Sequence, residues 1–209
     1  RSYSCAVILS AENNYLLNIE YVHKFIRNDP ESKMGVVEEL YRKYSPKLMI
    51  GDVGYANDLS FNLQKMYGDL FLTSRACSSL KDHFKFDDSI FPKEIKFKRD
   101  YLIKDVYDMM KRGNIKFPYG SYEYLAWFID HICNGTELKS VTDKWGETTL
   151  RYCKSGSSPN DGMMALCNAI LAHKYYISAG FKINNPNNMK NDFKKKNEIP
   201  IVLGYVPRL

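Results

Sequence analysis

The sequence predicts a mixed α/β domain, on three observations. Short β-prone runs alternate with segments whose apolar residues recur at helical spacing. The order of these elements (two strands, a helix, a strand, a helix, a strand) is that of a mixed sheet with helices laid on it. The length of 209 residues, with 44% hydrophobic and 26% charged content, suits one large domain and excludes disorder for most of the chain.

Residues 2–9 (SYSCAVIL) form a β-prone run ending in the polar, Asn-rich stretch 10–14, and residues 15–25 (YLLNIEYVHKF) follow at once, which predicts an antiparallel hairpin. After Asn28-Asp29-Pro30, Met34, Val37, Leu40, Tyr41 and Tyr44 recur at helical spacing until Ser45-Pro46, predicting a helix over 30–44. Residues 47–50 (KLMI) read as a buried strand that delivers Asp52 at its carboxyl end. Residues 57–67 are predicted helical, 70–73 (LFLT) a short strand, and 93–98 (KEIKFK) an extended connection into an amphipathic helix over 99–112 that Gly113 ends.

Residues 115–118 are a short extended stretch, and 122–133 a helix closed by Asn134-Gly135. Residues 137–141 and 147–153 flank a turn and predict a second hairpin. A loop then leads into a long helix over about 159–178, with Met163, Leu166, Cys167 and Ile170 at core spacing. After Gly180 the composition shifts to Asn, Lys and Pro. The expected organisation is therefore a domain over 1–180 and an appended C-terminal arm over 181–209.

No uncharged apolar run approaches the roughly 18 residues that span a bilayer, so no membrane association is expected. The five cysteines are odd in number, scattered and never spaced C-x-x-C, which argues for reduced thiols in a cytosolic compartment. A net charge of +6 suits a polyanionic partner and equally suits ordinary solubility. The chain has no phosphate loop, no G-x-G-x-x-G, no H-E-x-x-H and no G-x-S-x-G. The four histidines are far apart, so carboxylates are the remaining chemistry.

Two aspartates stand out. Asp52 lies at the tip of a buried strand, where it can face a groove; beside Gly51 it also reads as a turn residue. Asp161 lies in the first turn of the last helix, and Ser158 three residues earlier with Pro159 between them makes a capping box the alternative. Together they offer part of an oxygen-ligand site for Mg²⁺, which binds through a few carboxylates plus waters and substrate phosphates.

The ordered peptides SYSCAVILSAENNYLLNIEYVHKF, LMIGDVGYANDLS, KEIKFKRDYLIKDVYDMM, KRGNIKFP, the second hairpin and SPNDGMMALCNAILA resemble the nuclease domain of the large terminase subunit, the DNA-packaging protein of tailed bacteriophages and related viruses. The likeness covers about residues 1–178. It implies an RNase H-like mixed sheet flanked by helices, with an added β-hairpin. It also implies a two-metal Mg²⁺ or Mn²⁺ endonuclease cutting concatemeric double-stranded DNA.

Asp52 and Asp161 match two of the family's acidic positions. The first carboxylate matches nothing here, since it belongs on a strand that would precede Arg1. That strand would be central, so its two neighbours are expected to have unpaired edges. Glu20 is a weak substitute.

The implied partners are an upstream terminase ATPase domain, the portal protein and the small terminase subunit, in the host cytoplasm. Lys96, Lys98, Arg99, Lys111 and Arg112, around the long amphipathic helix, and Lys139, Lys144 and Lys154, near the second hairpin, are the candidate phosphate contacts. Solvated helix ends and loops account for each singly. Lys190, Lys194, Lys195 and Lys196 form a late basic cluster that suits DNA, the portal or plain solubility. The other readings are a Holliday-junction resolvase or transposase of the same fold, and a catalytically silent domain that clamps DNA or docks on the portal.

Overall fold

The computed structural model describes residues 4–26, 29–53, 57–118, 122–142, 144–179 and 201–206. These residues form one mixed sheet of eight strands, a separate two-stranded ribbon and five α-helices. The opening hairpin pairs β1 (Cys5–Ala11) with β2 (Leu17–Lys24). Its turn is made by Asn13, whose side-chain oxygen accepts the backbone N–H groups of Tyr15 and Leu16. In α1 (Pro30–Tyr44), Asp29 is the N-cap and accepts the Ser32 N–H at 2.7 Å, with Pro30 at the first position where its missing N–H costs nothing.

Then come β3 (Leu48–Asp52), α2 (Asn57–Tyr67), β4 (Phe71–Ala76), β5 (Phe84–Asp87), β6 (Glu94–Phe97), α3 (Arg99–Lys111), β7 (Ile115–Lys116) and α4 (Tyr122–Cys133). The ribbon is β8 (Thr136–Thr142) with β9 (Thr148–Lys154), followed by α5 (Asp161–Ser178) and β10 (Ile201–Val206). The sheet order is β5-β6-β4-β3-β10-β1-β2-β7. All strands but β1 and β5 point the same way, so the carboxyl ends of β3, β4, β6 and β10 share one edge.

Alternation along the strands builds two cores, because successive side chains point to opposite faces. Cys5, Val7, Leu9, Leu48, Ile50, Leu72, Ile95 and Phe97 pack against α3, α4 and α5. Ala6, Ile8, Met49, Phe71 and Leu203 pack on the other face, with Val37 and Leu40 of α1 and Leu59 and Leu63 of α2.

The extended stretch at 93–98 is a full sheet strand, β6, and β5 beside it was not expected at all. The larger correction concerns the C-terminus. Residues 201–206 are not part of an appended arm but a strand in the middle of the sheet, antiparallel to β1 and parallel to β3. The edges of β1 and β3, expected to be unpaired, are thereby paired. The physical reason is the apolar run 201–206, whose Val202, Leu203 and Gly204 are buried. A short apolar strand is worth most where both faces are covered. The late lysines 190 and 194–196 lie outside the described residues.

Candidate active site

Three contacts fix where α5 lies. Gly204 of β10 faces its middle so closely that a Cβ there would stand 2.1 Å from the Ala165 carbonyl oxygen and 2.2 Å from the Ala169 nitrogen. In the same stretch, the buried Ser74 hydroxyl of β4 donates to the Asn168 side-chain oxygen at 2.9 Å. Toward the C-terminal end, His173 Nε2 lies 3.2 Å from the carbonyl oxygen of Asn14 in the first hairpin turn, at the edge where the parallel strands begin. The N-terminus of α5 therefore points to the edge where the parallel strands end.

Asp52 lies at that edge. It is level with Ser74 across the β3–β4 pair, and by alternation with Leu48 and Ile50 it faces the same side as α5. Asp161 lies seven residues before Asn168, about two turns or 10 Å farther along the helix. Both aspartates thus lie on the α5 side of the sheet toward its carboxyl edge, Asp161 about two helical turns beyond the level of Asp52.

Asp161 is 3% exposed and lies inside the helix rather than at its N-cap position. The helix begins at Asp161 rather than 159, its N-cap residue is Asn160, and no side chain of that residue makes the capping bond. The capping-box expectation for Ser158 and Asp161 is corrected accordingly. The N-terminus is served instead from α4, where His131 Nδ1 accepts the Gly162 N–H at 3.1 Å. Gly162 has little room for anything larger, since a Cβ would meet Phe128 at 2.9 Å and His131 at 3.0 Å. An acidic first-turn residue still gains from the helix dipole.

His131 must be neutral at Nδ1 to accept that bond. Burial pushes its pKa below the usual 6.5, against an upward pull from Asp161 and Asp130. A histidine depressed in the folded state binds protons more readily when unfolded. Its contribution is therefore complete above about pH 6.5 and lost as pH falls below it, by up to about 1.4 kcal/mol per pH unit. Urea midpoints are expected to drop from pH 8 to pH 5. His131→Gln is expected to flatten part of that fall, with His23 and His173, also lowered by burial, keeping the rest. An unaltered pH profile in the variant would show that the ring plays no such part.

The basic candidates divide by position. Lys98 and Arg99 open α3 at the aspartate edge, where Arg99 Nε is buried without a hydrogen-bond partner among the described residues. Its charge lies close enough to Cys167 to oppose the rise that burial imposes on that thiol. The ribbon rises from the same end. Asp100 in the first turn of α3 accepts the Tyr152 N–H at 2.8 Å, and Gly135 at the ribbon's base packs against Pro159 and Asn160. Lys154 lies at that base, Lys139 is paired with Glu137 at 2.8 Å, and Lys144 near the tip covers the exposed Trp145 ring at 4.9 Å.

Three candidates do not join them. Lys96 belongs to the opposite face of the sheet, because its neighbours Ile95 and Phe97 face α5, and it is held by Asp87 at 2.9 Å. Hydrogen bonds from Ser89 and then Lys96 hold the Asp87 carboxyl down to about 2. Lys111 and Arg112 end α3 near the start of β2, where Leu17 donates to the Asn114 carbonyl oxygen, roughly 20 Å from the first turn of the helix. Glu20 is bonded by the Ser10 hydroxyl in the turn half of the hairpin, away from the aspartate edge.

Among the described residues no group of three His, Cys, Asp or Glu is placed to hold a metal ion. Two hard oxygen donors on one edge still suit Mg²⁺ or Mn²⁺, which complete their shells with water and phosphate. Sequence reasoning missed Ser74, Asn168 and His131. Their signal was a polar residue inside an apolar run, as in MMALCNAILA.

The fold and site define an α/β domain with two aspartates and several cations at the carboxyl edge of a mixed sheet. The chain matches no protein-family model, and no curated protein or solved structure matches it. No helix among the described residues is long and apolar enough to cross a membrane.

Proposed function

We propose that this chain is the RNase H-like endonuclease domain of a viral terminase large subunit, cutting concatemeric double-stranded DNA during genome packaging. The supporting observation is that Asp52 and Asp161 lie on the same face toward the same edge of the sheet, with Asp161 buried and the next N–H of its helix, that of Gly162, bonded by His131. A hairpin, a central strand antiparallel to it, and two parallel strands crossed by a terminal helix are in keeping with that fold.

In this reading Asp52 and Asp161 hold Mg²⁺ or Mn²⁺. The ions, when bound, offset charge developing on the scissile phosphate. Lys98 and Arg99 with the ribbon's Lys139, Lys144 and Lys154 position the DNA backbone, and Arg99 brings a guanidinium fork suited to phosphate. An upstream ATPase domain, the portal protein, the small subunit and a host-cytoplasmic setting follow from the family resemblance.

The test is supercoiled plasmid incubated with the full-length protein in Mn²⁺. Nicked and linear products that EDTA suppresses are expected; intact plasmid would refute the nuclease reading. A second reading has one observation in its favour. The strand at the centre of the sheet, β10, carries no carboxylate, which suits a silent domain that clamps DNA or docks on the portal. Intact plasmid with retained DNA binding would select it.

The basic residues make a separate prediction. Lys98→Gln and Lys154→Gln are each expected to reduce the slope of log affinity against log salt by about 1, whereas Lys111→Gln, at the far end of α3, leaves it unchanged. Equal slopes in all three would remove the ribbon and the start of α3 from the DNA path.

A further inference from the structure

On the opposite face of the sheet, at the same edge, lies a cavity of about 460 Å³, within the range of about 300–1,000 Å³ usual for small-ligand sites. Val53, the residue after Asp52, lines it, so the cavity and the aspartate edge lie back to back across the tip of β3.

Phe61, Phe91 and Arg75 dominate its wall. Phe61 of α2 and Phe91 meet edge to face at 89° with centroids 4.9 Å apart, and they remain 37% and 54% exposed. Rings at a right angle form a corner in which a flat ligand stacks on one and abuts the other. Lys65, outside the lining, holds its ammonium over the Phe61 ring, 4.3 Å from its centre. Arg75 enters from β4, and its Nε donates to Glu94 at 2.7 Å. The Glu94 side chain is 2% exposed and Arg75 56%.

The guanidinium is therefore anchored by a buried carboxylate, and its terminal nitrogens make no hydrogen bond among the described residues. An anchored fork of N–H donors matches phosphate geometry. Asp58 at the rim offers an acceptor for an exocyclic amine, as carboxylates do for the cytosine N4 group.

We propose that this cavity takes one unpaired nucleotide, its base in the Phe61–Phe91 corner and its phosphate on Arg75. A single strand crossing the carboxyl edge passes both the cavity and the aspartates. The choice of a nucleotide rests on the nucleic-acid reading above; the corner and the anchored arginine do not.

The test is fluorescence anisotropy with a labelled single-stranded oligo(dC) ten-mer and a blunt duplex of equal length, in EDTA so that no cleavage intervenes. Phe61→Ala and Phe91→Ala are expected to weaken single-strand binding about five- to a hundred-fold, as base–aromatic stacking requires, and Arg75→Gln by a similar factor. Duplex binding should change less than about two-fold. Displacement of the oligomer by dCMP would assign the site to nucleotides free or in a strand. Displacement by unlabelled oligo(dC) alone would assign it to the strand, and either upholds the proposal.

Single-strand affinity unchanged in both phenylalanine variants, with thermal melts showing them folded, would overturn it. Plasmid cleavage is a separate readout, so failure of the nuclease reading and failure of this site are told apart.

Discussion

Asp161→Asn is expected to lower metal-dependent plasmid cleavage more than about 100-fold, the scale on which removal of one group that stabilises transition-state charge is felt. The fold should survive. Asn has the same shape, and the helix N-terminus keeps the bond from Gly162 to His131. The stability cost includes the lost attraction of a carboxylate for the helix dipole, up to about 2 kcal/mol away from solvent.

The prediction is sharp because the bland account of this residue no longer holds. The N-cap residue is Asn160, and Asp161 is buried at the first helical position, where the Gly162 N–H is bonded by His131 Nδ1. Asp52→Asn should show the same loss for the same reason. Full cleavage by Asp161→Asn would remove the residue from the chemistry, whatever became of the rest.

Gly204→Ala is expected to cost at least about 3 kcal/mol, at or beyond the upper end of ordinary overpacking. The added methyl would lie 2.1 Å from one backbone atom of α5 and 2.2 Å from another, and backbone in the middle of a helix cannot turn aside as a side chain can. Either β10 leaves its slot or α5 lifts from the sheet. The second also moves Asp161, so lost stability should be accompanied by lost cleavage.

Gly35→Ala is the control: it lies in α1 with nothing within 4 Å of the new methyl, and should be neutral or stabilise by up to about 1 kcal/mol. Chemical denaturation of the two variants checks the pair. Equal stability of Gly204→Ala and the parent would mean that α5 does not rest on β10.

Much of this molecule was legible in one dimension. The helices over 30–44 and 57–67 have the bounds their spacing predicts, because proline or asparagine marks their starts and the apolar period runs unbroken between. The ribbon was readable from its turn and from the alternation on either side. Asp52 was singled out because a polar residue ending a buried strand has few uses.

The failures were of another kind. β5 (FKFD) and β10 (IVLGYV) are short runs whose local pattern does not say whether a partner exists. A strand gains its stability from neighbours distant in sequence, and β10 pairs with residues nearly 200 positions earlier.

Composition and periodicity alone thus established an α/β chain with a pair of opening strands, amphipathic helices and two aspartates worth attention, since each of those signals is written in neighbours a few residues apart. Only the folded arrangement decided that the C-terminal run fills the centre of the sheet, that Lys96 turns to the other face, that α3 carries Lys111 and Arg112 away from the edge, and that Asp161 is buried beside His131. Those outcomes depend on which face and which end of the sheet each element meets, and helix direction, strand register and close approach at a glycine settle that in three dimensions.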